Sequence, residues 1–274
     1  MPRALLCLDE PFRSMWSGVD PFAAVERLQG EIFRELEGRR TLRIEIASRG
    51  YFVKIHRGVG WIEIFKNLFS LRLPVLGAEN EWRAITRLQA CGVDTLCATA
   101  FGCRDGNPAR QHSFLITEEL APTISLEDYC AAWLRQPPAV ALKRALIVRV
   151  AQMARAMHAA GVNHRDFYLC HFLLHLEPMP TAENLRLSLI DLHRAQVRRR
   201  TPRRWRDKDL AALCFSALNI GLTRRDGLRF LVAYFSRPLR TLLRDEASLP
   251  VRLWDEALRL QARFLRKVAA GEMT

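Results

Sequence analysis

Hydrophobic and polar positions along the chain first settle into a period of two. Residues 31–36, residues 41–47 with Leu42, Ile44 and Ile46 in alternation, and residues 51–55 read as three successive strands. The breaks between them, Glu37-Gly38-Arg39-Arg40 and Ser48-Arg49-Gly50, are short and rich in turn formers, which predicts an antiparallel meander. The third strand, Tyr51-Phe52-Val53-Lys54-Ile55, sets one ammonium among apolar neighbours, where it requires a partner. From residue 61 to 71 the period changes. Glu63, Lys66, Asn67 and Ser70 recur at helical spacing, predicting an amphipathic helix whose broad apolar face either packs on the sheet or docks on lipid. A second helix, residues 78–91, stops at Gly92.

Strands are expected again at residues 97–103 and 113–120. The long helix 139–160 follows, with Leu142, Leu146, Val150, Met153 and Met157 as its buried stripe and Gly161 at its end. Short apolar runs at 172–175 and 185–192 suggest a small hairpin, and from Asp207 onwards the pattern is helical. No internal repeat and no long linker interrupts this order. Strands with a helix come first and helices second. The expected fold is therefore α+β and bilobal, with a sheet-bearing N-terminal lobe at 1–120 and a larger, mainly helical C-terminal lobe at 121–274.

Composition narrows the class. With 274 residues and 49% hydrophobic content the chain can fill a core, which excludes intrinsic disorder. No apolar run approaches the roughly 18 residues of a spanning helix. Asp9 and Glu10 stand where a signal peptide would be apolar, so a cytoplasmic protein is expected. The seven cysteines are odd in number and lack Cys-x-x-Cys spacing, which argues for reduced thiols and against a zinc site. Charge says more. All but five of the 42 basic residues are arginine, and the net charge is +13, a balance that attracts anionic glycolipid, bilayer, nucleic acid or an acidic protein.

The candidate chemistry centres on His164-Arg165-Asp166, directly after the long helix. His171 follows five residues after Asp166, and Asp191 closes the apolar run Leu189-Ile190. A lysine on a third strand, a glutamate on the next helix, an aspartate in a loop and an aspartate after a hairpin are, in this order, the parts that phosphoryl transfer requires. Lys54 would neutralise nucleotide phosphate. Glu81 shares the buried helix face of Ala84 and Leu88, whereas Glu79 is turned about 200° away, so Glu81 is the expected partner and Glu79 the alternative. Asp166 would orient the acceptor hydroxyl and take its proton, and Asp191 would bind Mg²⁺. Glu119, at the end of the last strand of the first lobe, joins the nucleotide-binding candidates.

Three segments make the likeness specific: Asn80-Glu81-Trp82-Arg83-Ala84, the eleven residues from His164 to Leu174, and Asp207-Lys208-Asp209-Leu210-Ala211-Ala212-Leu213. Across residues 25–220 the chain resembles the WaaP family of lipopolysaccharide core heptose kinases, a branch of the protein-kinase-like superfamily. The resemblance implies ATP-dependent phosphorylation of the first heptose of the inner core. It also implies work on the core–lipid A acceptor at the cytoplasmic face of the inner membrane of a Gram-negative bacterium. There are departures from ordinary protein kinases. The turn at Gly38 has a single glycine, leaving the phosphate grip to few amides and to Arg39 or Arg40. His171 stands in place of a metal-binding Asn although imidazole suits Mg²⁺ poorly, so it is either a second ligand or a support for the loop.

After Asp191 come Arg194, Arg198, Arg199, Arg200, Arg203, Arg204 and Arg206, seven arginines in 13 positions. They are expected to bind anionic groups on the acceptor, against the plainer reading of a solvated basic loop. Two other functions compete. A small-molecule phosphotransferase of antibiotic or choline type would meet repulsion between its cationic acceptor and this segment. A kinase-like scaffold without activity, binding RNA or an acidic protein, fits the poor glycine loop and His171 but not the retention of Lys54, Asp166 and Asp191. Nucleic acid is disfavoured because no aromatic stacking motif accompanies the charge.

Overall fold

The computed structural model describes residues 5–36, 38–58, 77–104, 107 and 111–271. The helix expected at 61–71 lies outside them. The chain divides into two compact units, one formed by residues 1–86, 96–120 and 192–194 and the other by 87–95, 121–191 and 195–274.

The first unit is built on a six-stranded sheet of order β1-β5-β6-β4-β3-β2, every neighbouring pair antiparallel. Its strands are β1 (Leu5–Leu8), β2 (Glu31–Leu36), β3 (Arg39–Ile46), β4 (Arg49–His56), β5 (Ala98–Arg104) and β6 (His112–Glu118). Alternation along β4 sends Tyr51, Val53 and Ile55 to one face. There they meet Phe12 and Trp16 from around α1 (Phe12–Met15) and Phe22 and Val25 from α2 (Pro21–Glu26), forming a closed core. Asp20 caps α2 by accepting from Phe22 N at 3.1 Å. On the other face lies α3 (Glu79–Ala90), whose Trp82 stacks on Phe101 of β5 at 4.4 Å. Lys54 and Phe101 both pair in register with Leu115 of β6, so they share this face. Gly38, which opens β3, has a φ of +75°, and a Cβ there would stand 2.5 Å from the Gly58 carbonyl oxygen. Only glycine fits that turn.

The second unit holds a three-stranded sheet of β7 (Thr123–Ser125), β9 (Phe172–His175) and β10 (Leu187–Leu189) and a two-stranded ribbon of β8 (Val162–Asn163) and β11 (Gln196–Val197). Around them are the helices α4 (Leu126–Cys130), α5 (Val140–Ala159), α6 (Arg203–Ser216), α7 (Arg224–Phe235), α8 (Leu239–Asp245) and α9 (Leu249–Ala269). In α5, Leu146, Val150, Met153 and Met157 are buried as the periodicity requires. The expected hairpin is present as β9 and β10. The arginine segment differs from a plain loop. Helix begins at Arg203, behind Pro202, so three of the seven arginines stand on the first turns of α6.

Candidate active site

In the first unit Lys54 Nζ lies 2.7 Å from Glu81 Oε1, and the Glu81 side chain is 1% exposed. A carboxylate so buried holds the ammonium in one place, while the lysine keeps a quarter of its surface open. Glu79 instead pairs with Arg83 along the helix surface at 2.6 Å. Glu119 is engaged by Arg43, whose guanidinium donates to both carboxylate oxygens at 2.7–3.0 Å, so its carboxylate is committed to the sheet. Next to Lys54 on the same strand face, His56 is half-buried, and desolvation together with Arg39, Lys54 and His193 pushes its pKa down to about 3. Arg39 thus adds positive charge to the face that Lys54 shares, and Gly38 stands one residue before it.

In the second unit the His164-Arg165-Asp166 loop is fixed by its backbone. Asp209 of α6, itself buried, accepts from His164 N at 2.8 Å and from Arg165 N at 2.9 Å. His158 Nε2 lies 3.2 Å from the same carboxylate, and its Nδ1 is 2.8 Å from the Tyr234 hydroxyl. The His164 ring is fully buried; its Nε2–H donates to the Ile190 carbonyl at 2.9 Å, and burial lowers its pKa, so it stays neutral. Arg165 and Asp191 both hold positive φ, +75° and +60°. Left-handed backbone at two non-glycine residues is strain that the surrounding bonds must maintain.

His171 stacks on His164 with ring centroids 5.4 Å apart. Its Nδ1–H donates to the Asp166 carbonyl at 2.6 Å, which turns Nε2 towards Asp191 Oδ2 at 3.3 Å. The loop thereby ties Asp166 to Asp191 through one imidazole. Among the described residues no group of three His, Cys, Asp or Glu side chains forms a metal cluster. Mg²⁺ in phosphotransferases needs only one or two carboxylates, because phosphate oxygens and water complete its shell. The partly exposed Asp191 carboxylate fits that demand, and an imidazole nitrogen is the weaker donor beside it.

The arginine segment is only partly available to a ligand. Arg198 donates to Asn163 and Gln196, Arg203 pairs with Glu246 at 2.7 Å, and Arg206 pairs with Asp207 at 2.6 Å. Arg194 is half-buried and also has partners. Arg199, Arg200 and Arg204 are exposed, the last lying over the Trp205 ring.

The sequence profile of the lipopolysaccharide kinase (Kdo/WaaP) family matches residues 23–234. The chain belongs to this family. A lipopolysaccharide core heptose(I) kinase WaaP of Pseudomonas aeruginosa is 64% identical over 244 residues, covering 89% of this chain and 91% of that protein. One from Escherichia coli is 58% identical over 260 residues, covering 95% and 98%. A solved structure described as WaaP in complex with acyl carrier protein superposes with a TM-score of 0.84 at 57% identity, covering 93% of this chain and 99% of that one. The fold is accordingly the protein-kinase-like α+β fold of these kinases.

Asp209 was named in the sequence only as part of a matching segment, without a role. Its signal there is an aspartate on the buried face of a helix, between Lys208 and Leu210, where an apolar residue is the norm. His158 gave no signal beyond its place on α5.

Proposed function

We propose that this protein is an ATP-dependent kinase that transfers the γ-phosphoryl group to a hydroxyl of the first heptose of the lipopolysaccharide inner core. The observation that carries the reading is the joint presence of the Lys54–Glu81 pair and the Asp209-anchored loop bearing Asp166, in a chain 64% identical to a named heptose(I) kinase. Lys54 binds phosphate oxygens of ATP, with Glu81 fixing its direction and Arg39 and the Gly38 turn adding charge and close backbone approach. Asp166 accepts a hydrogen bond from the heptose hydroxyl. As that oxygen bonds to the γ-phosphorus, the bond to the ADP oxygen breaks and the hydroxyl proton passes to Asp166. Asp191, seconded by His171, would hold Mg²⁺, which when bound neutralises charge on the phosphate oxygens. Arg199, Arg200 and Arg204 offer exposed guanidinium groups for anionic parts of the acceptor, and the four other arginines of the segment shape the surface from which these project.

The acceptor places the enzyme at the cytoplasmic face of the inner membrane as a peripheral protein; no helix among the described residues is long and apolar enough to cross a membrane. An acyl carrier protein, the partner in the solved relative, is proposed as a partner here too, since a chain of net charge +13 suits an acidic surface. Mass spectrometry of lipopolysaccharide from cells lacking this protein tests the function. Inner core short of one phosphate on its first heptose, restored by the wild-type chain and not by Asp166→Asn, is the expected result; unchanged phosphate content refutes it.

A further inference from the structure

The helix α9 buries one face and leaves a second apolar face open. Leu249, Leu253 and Ala257 point into the protein. Rotated from them by about 100° runs the column Val251, Trp254, Leu258, Leu265 and Val268, with exposures of 62%, 52%, 42%, 57% and 44%. Over a rise of roughly 25 Å this is a continuous apolar stripe on a straight surface, interrupted only by Gln261. About 100° further round the helix, past the exposed Asp255, stand Arg252, Arg259 and Arg266, spaced seven residues apart. Arg259 and Arg252 make only long ion pairs, 3.4 Å to Glu256 and 3.4 Å to Asp207.

We propose that α9 docks this protein on an anionic phospholipid bilayer, with the apolar column sunk into the headgroup boundary and the arginine column on lipid phosphates. The proposal rests on the kinase reading above, in which the acceptor is a glycolipid held in that bilayer. Charge complementarity excludes a second copy, and the membrane-held glycolipid acceptor of the kinase reading favours a bilayer over an acidic protein. A second copy of a +13 chain would bring two arginine columns together, whereas anionic headgroups meet the column with opposite charge. The arginines stand to the side of the stripe and not across it, the placement from which long side chains reach headgroup level while the stripe is immersed. Trp254 belongs at that boundary, where an amphipathic ring has one apolar and one wet side. The docked helix is also tied to the chemistry. Phe264 meets Phe215 at 6.1 Å, and Phe215 meets Tyr168, two residues after Asp166, at 6.1 Å. Binding through α9 therefore sets the height of the Asp166 loop above the surface from which the acceptor projects.

Sedimentation of the full chain with vesicles tests the proposal. Wild type should bind vesicles of phosphatidylethanolamine and phosphatidylglycerol, bind phosphatidylcholine vesicles weakly, and lose anionic binding as salt rises from about 0.05 to about 0.5 M. Trp254→Ser/Leu258→Ser/Leu265→Ser should lower the partition coefficient by about tenfold or more. Arg252→Gln/Arg259→Gln/Arg266→Gln, which leaves the apolar column intact, should weaken the preference for phosphatidylglycerol several-fold. Both variants change exposed side chains, and their circular dichroism should match wild type. Transfer of phosphate to detergent-dispersed acceptor reports the kinase reading separately and should survive in both. Vesicle binding that is absent in wild type, or unchanged in the serine variant, overturns the proposal. So does a serine variant that keeps its vesicles but loses an acyl carrier protein or a dimer, which would assign the stripe to that partner.

Discussion

Asp166 sits two residues after a buried histidine whose ring hydrogen bond to Ile190 and backbone hydrogen bond to Asp209 leave it no freedom. The backbone that carries the Asp166 carboxylate is thus held by its neighbours in the loop. Asp166→Asn preserves the shape and removes the proton acceptor, so turnover should fall by about 10² or more while the ATP affinity, read by calorimetry, changes little. Retained turnover would take the base role away from Asp166. His56 makes a prediction of a different kind. Its native pKa lies near 3 and that of an unfolded histidine near 6.5, so between these values the unfolded chain carries a proton that the native chain refuses. Stability is complete above about pH 6.5 and falls as the pH drops towards 3. The thermal midpoint of His56→Gln should fall less steeply over that window than that of wild type. An identical slope would show that His56 is not the group responsible. Lys54 was legible at this scale because a lone ammonium in an apolar strand advertises a missing partner. The pairing of Arg43 with Glu119 was not, because the two residues are 76 apart in sequence.

Among elements, the decisive link is between the loop and α6. Asp209→Ala leaves one buried and one part-buried backbone N–H group and the His158 ring without their acceptor, which should cost about 3 kcal/mol or more in urea unfolding. A loss below about 1 kcal/mol would mean that the loop is held elsewhere. The arginine segment is tested by Arg199→Gln/Arg200→Gln/Arg204→Gln, which should raise the acceptor KM and weaken its salt dependence while the ATP KM stays constant. An unchanged acceptor KM returns these residues to the status of a solvated surface. The meander and the long helix followed from periodicity because each repeats its pattern several times, and the hairpin from two closely spaced apolar runs. By contrast β1, α1 and α2 escaped it. β1 is an edge strand exposed along most of its length, and helices of four and six residues are too short to show a period. Their packing partners Tyr51, Val53 and Ile55 were visible, but nothing local says what covers them. The Asp209 contacts, 44 and 45 residues apart in sequence, are likewise a product of tertiary folding.

For the whole molecule the order of parts was readable before their contacts were: a sheet with a lysine, a helix with a glutamate, then a helical region carrying two aspartates. The net charge of +13 belongs at this scale as well, since it sets a long-range attraction to an anionic, surface-held acceptor that no single arginine supplies. All of these features converge on one reaction, the movement of a phosphoryl group from ATP to a heptose. The direct measurement is tandem mass spectrometry of purified inner-core lipopolysaccharide lacking heptose phosphate, after incubation with the purified protein, ATP and Mg²⁺. A gain of one phosphate on the first heptose, dependent on ATP and absent with Asp166→Asn, is the predicted result. An acceptor that leaves the incubation with its mass unchanged, in the presence of folded protein that binds ATP, would contradict it.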